Sequence, residues 1–134
     1  MLESGIQQLV AANAGVQSLI GNPARFYPVA LPEDVIYPCA SYQVISTSPQ
    51  YYVDSSKAIG QVRIQVDTWS GGTSNATYAA AKTVQAAIRS VLEGFKGLLP
   101  DGTFVKSILV DNALDLYEQD ARCYRTSTDY LIKL

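Results

Sequence analysis

QVRIQVDTWSGGTSNATYAAAKTVQAAIRSVL, residues 61–92, contains the pattern that decides the fold. In its first part, Val62, Ile64 and Val66 are separated by charged or amide side chains. That period of two predicts a strand over residues 58–70 with one buried face and one more polar face. The strand must therefore belong to a sheet that is covered on at least one side.

The second part of the same stretch predicts a long amphipathic helix. Gly71-Gly72 allows a tight reversal after the strand, and either Thr73 or Ser74 can cap the helix. Apolar residues then recur at i+3 or i+4, so that one stripe of the helix faces the sheet. The stripe consists of Tyr78, Ala81, Val84, Ile88, Val91 and Phe95.

The flanking segments supply another helix and three more strands. A helical stripe begins at Leu2, and Asn13 can cap a second short helical piece. Four prolines make residues 23–38 an extended connector. Alternation predicts further strands over residues 39–47, 103–115 and 121–134.

The order α-β-β-α-β-β predicts one domain, residues 1–134, of the α+β class. We expect a two-layer sandwich, because hairpin-length connections favour antiparallel neighbours and each helical stripe needs a sheet face. It should hold a four-stranded antiparallel sheet with two helices on one face.

The composition is that of a folded protein, with 48% hydrophobic and 16% charged residues. The net charge is −2, and the basic residues are scattered from Arg25 to Lys133. We therefore expect no binding driven by nucleic-acid phosphates. No apolar run approaches the roughly 20 residues that span a bilayer, and MLESGIQQLV lacks the features of a signal peptide. The expected compartment is the cytosol, without a membrane partner.

The sequence offers few residues for catalysis or metal binding. It contains no histidine, which removes the commonest general base, the triads that depend on it and most zinc sites. The carboxylates of Asp111, Asp115, Glu118 and Asp120 could hold a cation or form an acid/base pair, but their spacing fits no EF-hand loop. Solvated strand ends and turns are the simpler interpretation, so we predict no catalytic residue, no cofactor and no metal site.

Three other motifs favour ordinary structural interpretations. Gly71-Gly72 lies between a strand and a helix, as phosphate-binding loops do, but the glycine patterns of nucleotide sites are absent. The Asn75-Ala76-Thr77 sequon lacks the secretion signal that would give it meaning. Cys39 and Cys123 lie in predicted strands and are interpreted as small buried thiols, with a disulfide between them left open.

Aromatic residues are the candidates for contact with a partner protein. Tyr51 and Tyr52 lie in segment 48–57, a loop or hairpin arm, and either fold back onto the domain or dock on a partner. Trp69 places a large ring on the polar face of its strand, where it either caps the core edge or anchors an interface.

The last two strands carry apolar residues on both parities, although an antiparallel sheet with one wet face should alternate cleanly. We therefore expect the second face to be covered, which a neighbouring subunit could do. The candidate assembly residues are Tyr51, Tyr52, Trp69, Tyr124 and Tyr130.

Four segments carry a resemblance to a known family. They are LESGIQQLVAANAGVQSLIG at residues 2–21, RFYPVALPEDVIYPCASYQVIS at 25–46, VRIQVDTWSGGTSNATYAAAKTVQAAI at 62–88, and CYRTSTDYLI at 123–132. In this order they resemble the tail-completion, or tail-terminator, proteins of long-tailed bacteriophages and prophages. The resemblance covers nearly the whole chain.

The resemblance implies a non-enzymatic α+β subunit without a cofactor. Such subunits assemble, usually as a homohexameric ring, at the head-proximal end of the tail tube, where they stop tube growth and present a surface to the head connector. The implied partners are further copies of the chain, the tail tube protein and the head connector or neck protein. DNA only passes through the lumen. The implied location is the virion, after synthesis in the host bacterial cytoplasm.

Two alternatives remain beside the terminator. The chain could occupy a related position in the same particle, as a head–tail joining protein or as the tube protein itself. From another class, it could be a small monomeric enzyme or ligand-binding domain that uses the carboxylates of residues 111–120.

Overall fold

The computed structural model describes residues 2–51, 53–54, 57–71, 77–120 and 122–134. Three helices and seven strands lie within these residues. In chain order they are α1 (Leu2–Ala11), α2 (Ala14–Ile20), β1 (Phe26–Pro28), β2 (Cys39–Tyr51), β3 (Lys57–Ser70), α3 (Tyr78–Leu92), β4 (Gly97–Leu98), β5 (Phe104–Val105), β6 (Ser107–Glu118) and β7 (Cys123–Lys133).

The α+β class is confirmed, but the predicted sheet and element order need correction. The main sheet has five strands in the order β1-β2-β3-β7-β6, and it is mixed because β1 runs parallel to β2. The four long strands, β2, β3, β7 and β6, pair with one another in antiparallel fashion, as predicted for the four-stranded sheet. The described chain also has a small sheet of β4 and β5 and a third helix, since the short piece after Asn13 is a separate α2.

The missed strand β1 lies in the proline-rich connector. It ends at Pro28. Proline has no N–H to donate to a neighbouring strand, but at the edge of a sheet one side of the strand needs no such donor, so proline is compatible with this position. Phe26 is buried, and its ring centre lies 4.6 Å from that of Tyr42 on β2. The connector therefore contributes to the core instead of only wrapping it.

The helix α3 begins at Tyr78, later than the predicted caps allow. Thr77 is its N-cap, and its Oγ1 accepts a hydrogen bond from Ala80 N at 3.1 Å. The predicted caps, Thr73 and Ser74, lie outside the described residues. The buried face of the helix is Ala81, Val84, Gln85, Ile88 and Leu92.

The core lies between the helices and one face of the sheet. Val62, Ile64 and Val66 point to this face from β3, as the alternation predicts, and meet residues of α3 and β7. Polar side chains on this face are satisfied locally. Thr68 Oγ1 donates to Ala81 O at 2.9 Å, and Gln85 Nε2 donates to Thr128 Oγ1 at 2.8 Å.

The described residues of segment 48–57, which was predicted as a loop or a hairpin arm, form a hairpin arm. β2 and β3 remain paired out to Tyr51 and Lys57, whereas β7 pairs with β3 only from Gln61 onward. The end of the hairpin therefore extends past β7. None of the described helices is long and apolar enough to cross a membrane.

Candidate assembly surface

The sheet face opposite the helices, called here the outer face, carries two ion-pair networks. Arg63 Nη1 lies 2.8 Å from Asp111 and 3.1 Å from Asp129. Arg125 lies 2.7 Å from Asp67 through Nη2 and 3.0 Å from Glu118 through Nη1.

Trp69 lies on this outer face and contacts side chains of its own chain. Its Nε1 donates to Ser41 Oγ at 3.3 Å, and the guanidinium of Arg125 lies 4.8 Å from the centre of its ring. These contacts fit the interpretation that Trp69 caps the edge of the core. Its role as an interface anchor stays a prediction.

Three of the four carboxylates considered for a cation site are paired with cations of the chain. Besides Asp111 and Glu118, Asp115 accepts hydrogen bonds from Tyr78 and from Lys82 Nζ, the latter at 3.2 Å. The Tyr78 hydroxyl and then Lys82 hold the pKa of Asp115 below its usual value. In the described part of the chain, no cluster of three or more His, Cys, Asp or Glu is placed to hold a metal ion.

Tyr124 belongs to an aromatic cluster at the β6–β7 end of the sheet. Its ring centre lies 5.0 Å from that of Tyr117 and 6.1 Å from that of Tyr78, and both neighbours are exposed. The prediction thus identified one member of a surface cluster whose other members it left out.

The other aromatic candidates divide between surface and core. Tyr51 is 69% exposed on the arm, so it is free to meet a partner, whereas Tyr52 lies outside the described residues. Tyr130 is only 1% exposed and packs in the core beneath the helices. Burial raises the pKa of its hydroxyl. Tyr130 is therefore not on a surface of the folded subunit, and including it among the candidates was wrong.

Three leucines on β6 were missing from the predicted surface. Leu109, Leu114 and Leu116 pair with Leu131, Ser127 and Arg125 of β7, which places all three on the outer face. They are between 42% and 51% exposed. No described helix covers these leucines, so the outer face of β6 carries apolar surface. That a neighbouring subunit covers this face stays a prediction.

Both cysteines are small buried thiols, as the simpler interpretation predicted, and no disulfide joins them. They lie on β2 and β7, with β3 between those strands. Burial raises the pKa of the Cys39 thiol to about 12. A hydrogen bond with Cys123, and then burial, raise the pKa of Tyr37 to about 12 as well.

A cavity of about 600 Å³ opens where α1 and β1 meet residues 42–44 of β2. Its lining is mainly apolar or uncharged, and Glu3 supplies its one carboxylate. The lining residues are Glu3, Ser4, Gln7, Phe26, Pro28, Val29, Tyr42, Gln43 and Val44.

Comparisons with known proteins agree with this fold. A chain in the virion of a native gene transfer agent particle superimposes with a TM-score of 0.73 at 17% sequence identity, over 98% of this chain and 92% of that one. At that identity the likeness establishes the fold alone. A search of curated protein sequences finds no match.

The family model of tail completion protein gp17 matches residues 4–133. The match spans almost the entire described structure, from α1 to the end of β7. The chain therefore belongs to the tail completion protein gp17 family, a family of structural tail proteins.

Proposed function

We propose that this chain is a tail terminator, which closes into a ring at the head-proximal end of a phage-type tail tube. The ring stops addition of further tube subunits and presents its other surface to the head connector. The observation that carries the proposal is the family match over residues 4–133. The host bacterial cytoplasm is the proposed site of synthesis, and the virion is the proposed final location.

A terminator ring needs a particular kind of contact between its copies. A head-to-tail interface that closes by rotation gives a ring, whereas one that does not close gives a filament. The exposed leucines of β6 supply apolar surface at one edge of the sheet, and the exposed arm around Tyr51 supplies another surface. A homohexamer is the ring we propose, with the tube protein and the head connector as its axial partners.

The lumen of such a ring must let DNA pass without holding it. A basic lining would bind phosphates through counterion release, so a weakly charged or acidic lining serves passage better. The net charge of −2 agrees with that requirement. The proposal therefore includes DNA only as a passing partner.

Deletion of the gene for this chain tests the role directly. We expect tail tubes of excessive and variable length, measured by negative-stain electron microscopy, because nothing would stop tube growth. Complementation with the wild-type chain should restore a single tube length. Tubes of normal length that fail to attach to heads would overturn the terminator role in favour of a head–tail joining protein. Absence of tubes would favour a tube protein.

Size in solution tests the ring itself. We expect purified protein to form rings visible in electron micrographs and a discrete oligomer in sedimentation velocity. A monomer whose mass is independent of concentration, and which gives no ring with purified tail tubes, would favour a monomeric ligand-binding domain or enzyme.

A further inference from the structure

The strand β6 leaves one edge of the main sheet open. Near its start the edge is covered, because Gly94 N donates to Ile108 O at 2.8 Å. From Val110 to Glu118, no described residue outside β7 pairs with the β6 backbone. An exposed edge with leucines beside it readily accepts another strand.

The opposite edge of the sheet is open over part of β2. The short β1 covers only Ala40 to Tyr42, and Val29 N then donates to Tyr42 O at 2.8 Å. Val29 has φ 63°, a left-handed value that is uncommon for a β-branched residue, and there the chain turns off the edge. Among the residues that the structure describes, none pairs with the backbone of residues 43–48 on that side, and Pro49, which follows, has no N–H to donate.

We propose that the β6 edge of one copy pairs with residues 43–48 of β2 in the next copy, so that the main sheet continues from subunit to subunit. This contact rests on the proposed ring and identifies the surfaces that build it. Because β2, β3, β7 and β6 alternate in direction, β6 and β2 run in opposite senses. Two copies placed side by side in one orientation would therefore join by an antiparallel pair.

Charge favours β2 over a second β6 as the occupant of the edge. The strand β6 carries Asp111, Asp115 and Glu118 and no basic residue, whereas β2 carries no charged residue at all. Pairing two β6 edges would bring carboxylates across the strands, and their own ion pairs with Arg63, Lys82 and Arg125 reduce this repulsion without removing it. Pairing β6 with β2 avoids this repulsion.

The two edges also fit in length and in apolar surface. The open part of β6 is long enough to pair with all six residues of the β2 segment 43–48. Ile45 within that segment is an exposed apolar residue. The cavity lined by Gln43 and Val44 adjoins the same edge and gives room to side chains from the helix side of an incoming strand. A contact of this kind is head-to-tail, and each subunit contributes one edge of each type.

Disulfide trapping tests the pairing without disturbing the fold. Ser46 pairs with Arg63 and so lies on the outer face of β2, and Asn112, Leu114 and Leu116 lie on the outer face of β6. We would combine Ser46→Cys with each of Asn112→Cys, Leu114→Cys and Leu116→Cys, then oxidise the assembled protein. A bond forms only where Cβ atoms approach to about 4 Å, so one pair should give a ladder of linked chains on non-reducing gels. Each single variant should stay unlinked.

The outcomes separate this inference from the proposed ring. Rings in which none of the three pairs is linked would overturn the edge contact and leave the ring standing. Linked dimers from Leu114→Cys or Leu116→Cys alone would show two β6 strands side by side and overturn it too. A ladder from open filaments would support the edge contact and overturn the ring. Protein that neither assembles nor links would overturn both.

Charge insertion gives an independent measurement. Leu114→Arg and Leu116→Arg should each raise the dissociation constant between copies by at least about tenfold, because a desolvated charge would replace apolar contact. The matched control is Leu98→Arg on β4, which has the same substitution at a 68% exposed site that belongs to neither β6 nor β2. An equal effect at Leu98, or none at Leu114 and Leu116, would overturn the assignment.

Discussion

The guanidinium of Arg125 lies 4.8 Å from the ring centre of Trp69 on the outer face of the sheet. The same guanidinium reaches Asp67, whose side chain is mostly buried. Asp67 Oδ1 and Arg125 Nε are themselves buried without a hydrogen-bond partner in the described structure. The charge pair and the aromatic contact therefore depend on one side chain, which makes Arg125 the centre of this network.

Replacing Arg125 should destabilise the subunit more than replacing Arg63. Arg125→Ala leaves the Asp67 carboxylate mostly buried without its cation, which we expect to cost about 2–3 kcal/mol of unfolding free energy. Arg63→Ala removes more exposed pairs and should cost less than about 1 kcal/mol. Urea unfolding of the two variants measures the difference. Equal losses would show that burial of Asp67 does not set the energy of the network.

Tyr51 and Tyr130 should behave in opposite ways when replaced. Tyr51→Ser removes an exposed ring from the arm, so the free energy of unfolding should change by less than about 0.5 kcal/mol. Tyr130→Ala removes a ring from the core and should cost about 3 kcal/mol or more. Chemical denaturation distinguishes the two.

Assembly provides the second measurement for Tyr51. If this residue is a partner anchor, Tyr51→Ser should weaken ring formation or binding to tail tubes while the subunit stays folded. Unchanged assembly would show that Tyr51 contacts no partner, and a large fall in melting temperature would show that it belongs to the fold.

The structure shows why the alternation of apolar residues predicted the long strands but not the exposed leucines on the outer face. Ile108 and Val110 face the helices from β6, and on a regular strand Leu114 and Leu116 would share their face. A bulge intervenes, because Val110 pairs with Tyr130 and Asn112 with Asp129. The extra residue turns both leucines to the outer face. Sequence parity alone carries no sign of such a bulge.

The strand β1 was missed for a different reason. Its segment contains prolines, which argue against a central strand. A strand of three residues forms there only because it lies at the edge of the sheet. The pairing is parallel to β2 and depends on the path of the connector, which local pattern does not encode. The amphipathic stripe of α3 was predictable because all of its information lies within fifteen consecutive residues.

Alkaline pH should destabilise the subunit through Cys39. Burial raises the pKa of this thiol from 9.0 to about 12, so the folded state holds the proton more tightly than the unfolded state. The stability from this group is therefore complete below the unfolded pKa and is lost as the pH rises toward the folded pKa. Between those values the loss is about 1.4 kcal/mol for each pH unit.

Comparison with Cys39→Ala isolates this contribution. The variant lacks the thiol, so its unfolding free energy should fall less steeply than that of the wild type above about pH 9. The measured quantity is the slope, since the substitution also changes packing. Parallel curves for the two proteins would mean that the Cys39 thiol is not held protonated by the fold.

Gly71 and Cys123 should be coupled in a double-mutant cycle. A Cβ added at Gly71 would lie 2.5 Å from Cys123 Sγ, closer than packed atoms tolerate, and 3.1 Å from Cys123 Cβ, which is a tight contact. Gly71→Ala should therefore cost about 1–3 kcal/mol of unfolding free energy. In the Cys123→Ala background the sulfur is gone, so the same substitution should cost at least about 1 kcal/mol less. Because Arg122 O also lies 3.2 Å from the added Cβ, we expect the relief to be partial. Additive losses would show that the cost at Gly71 does not come from contact with the thiol.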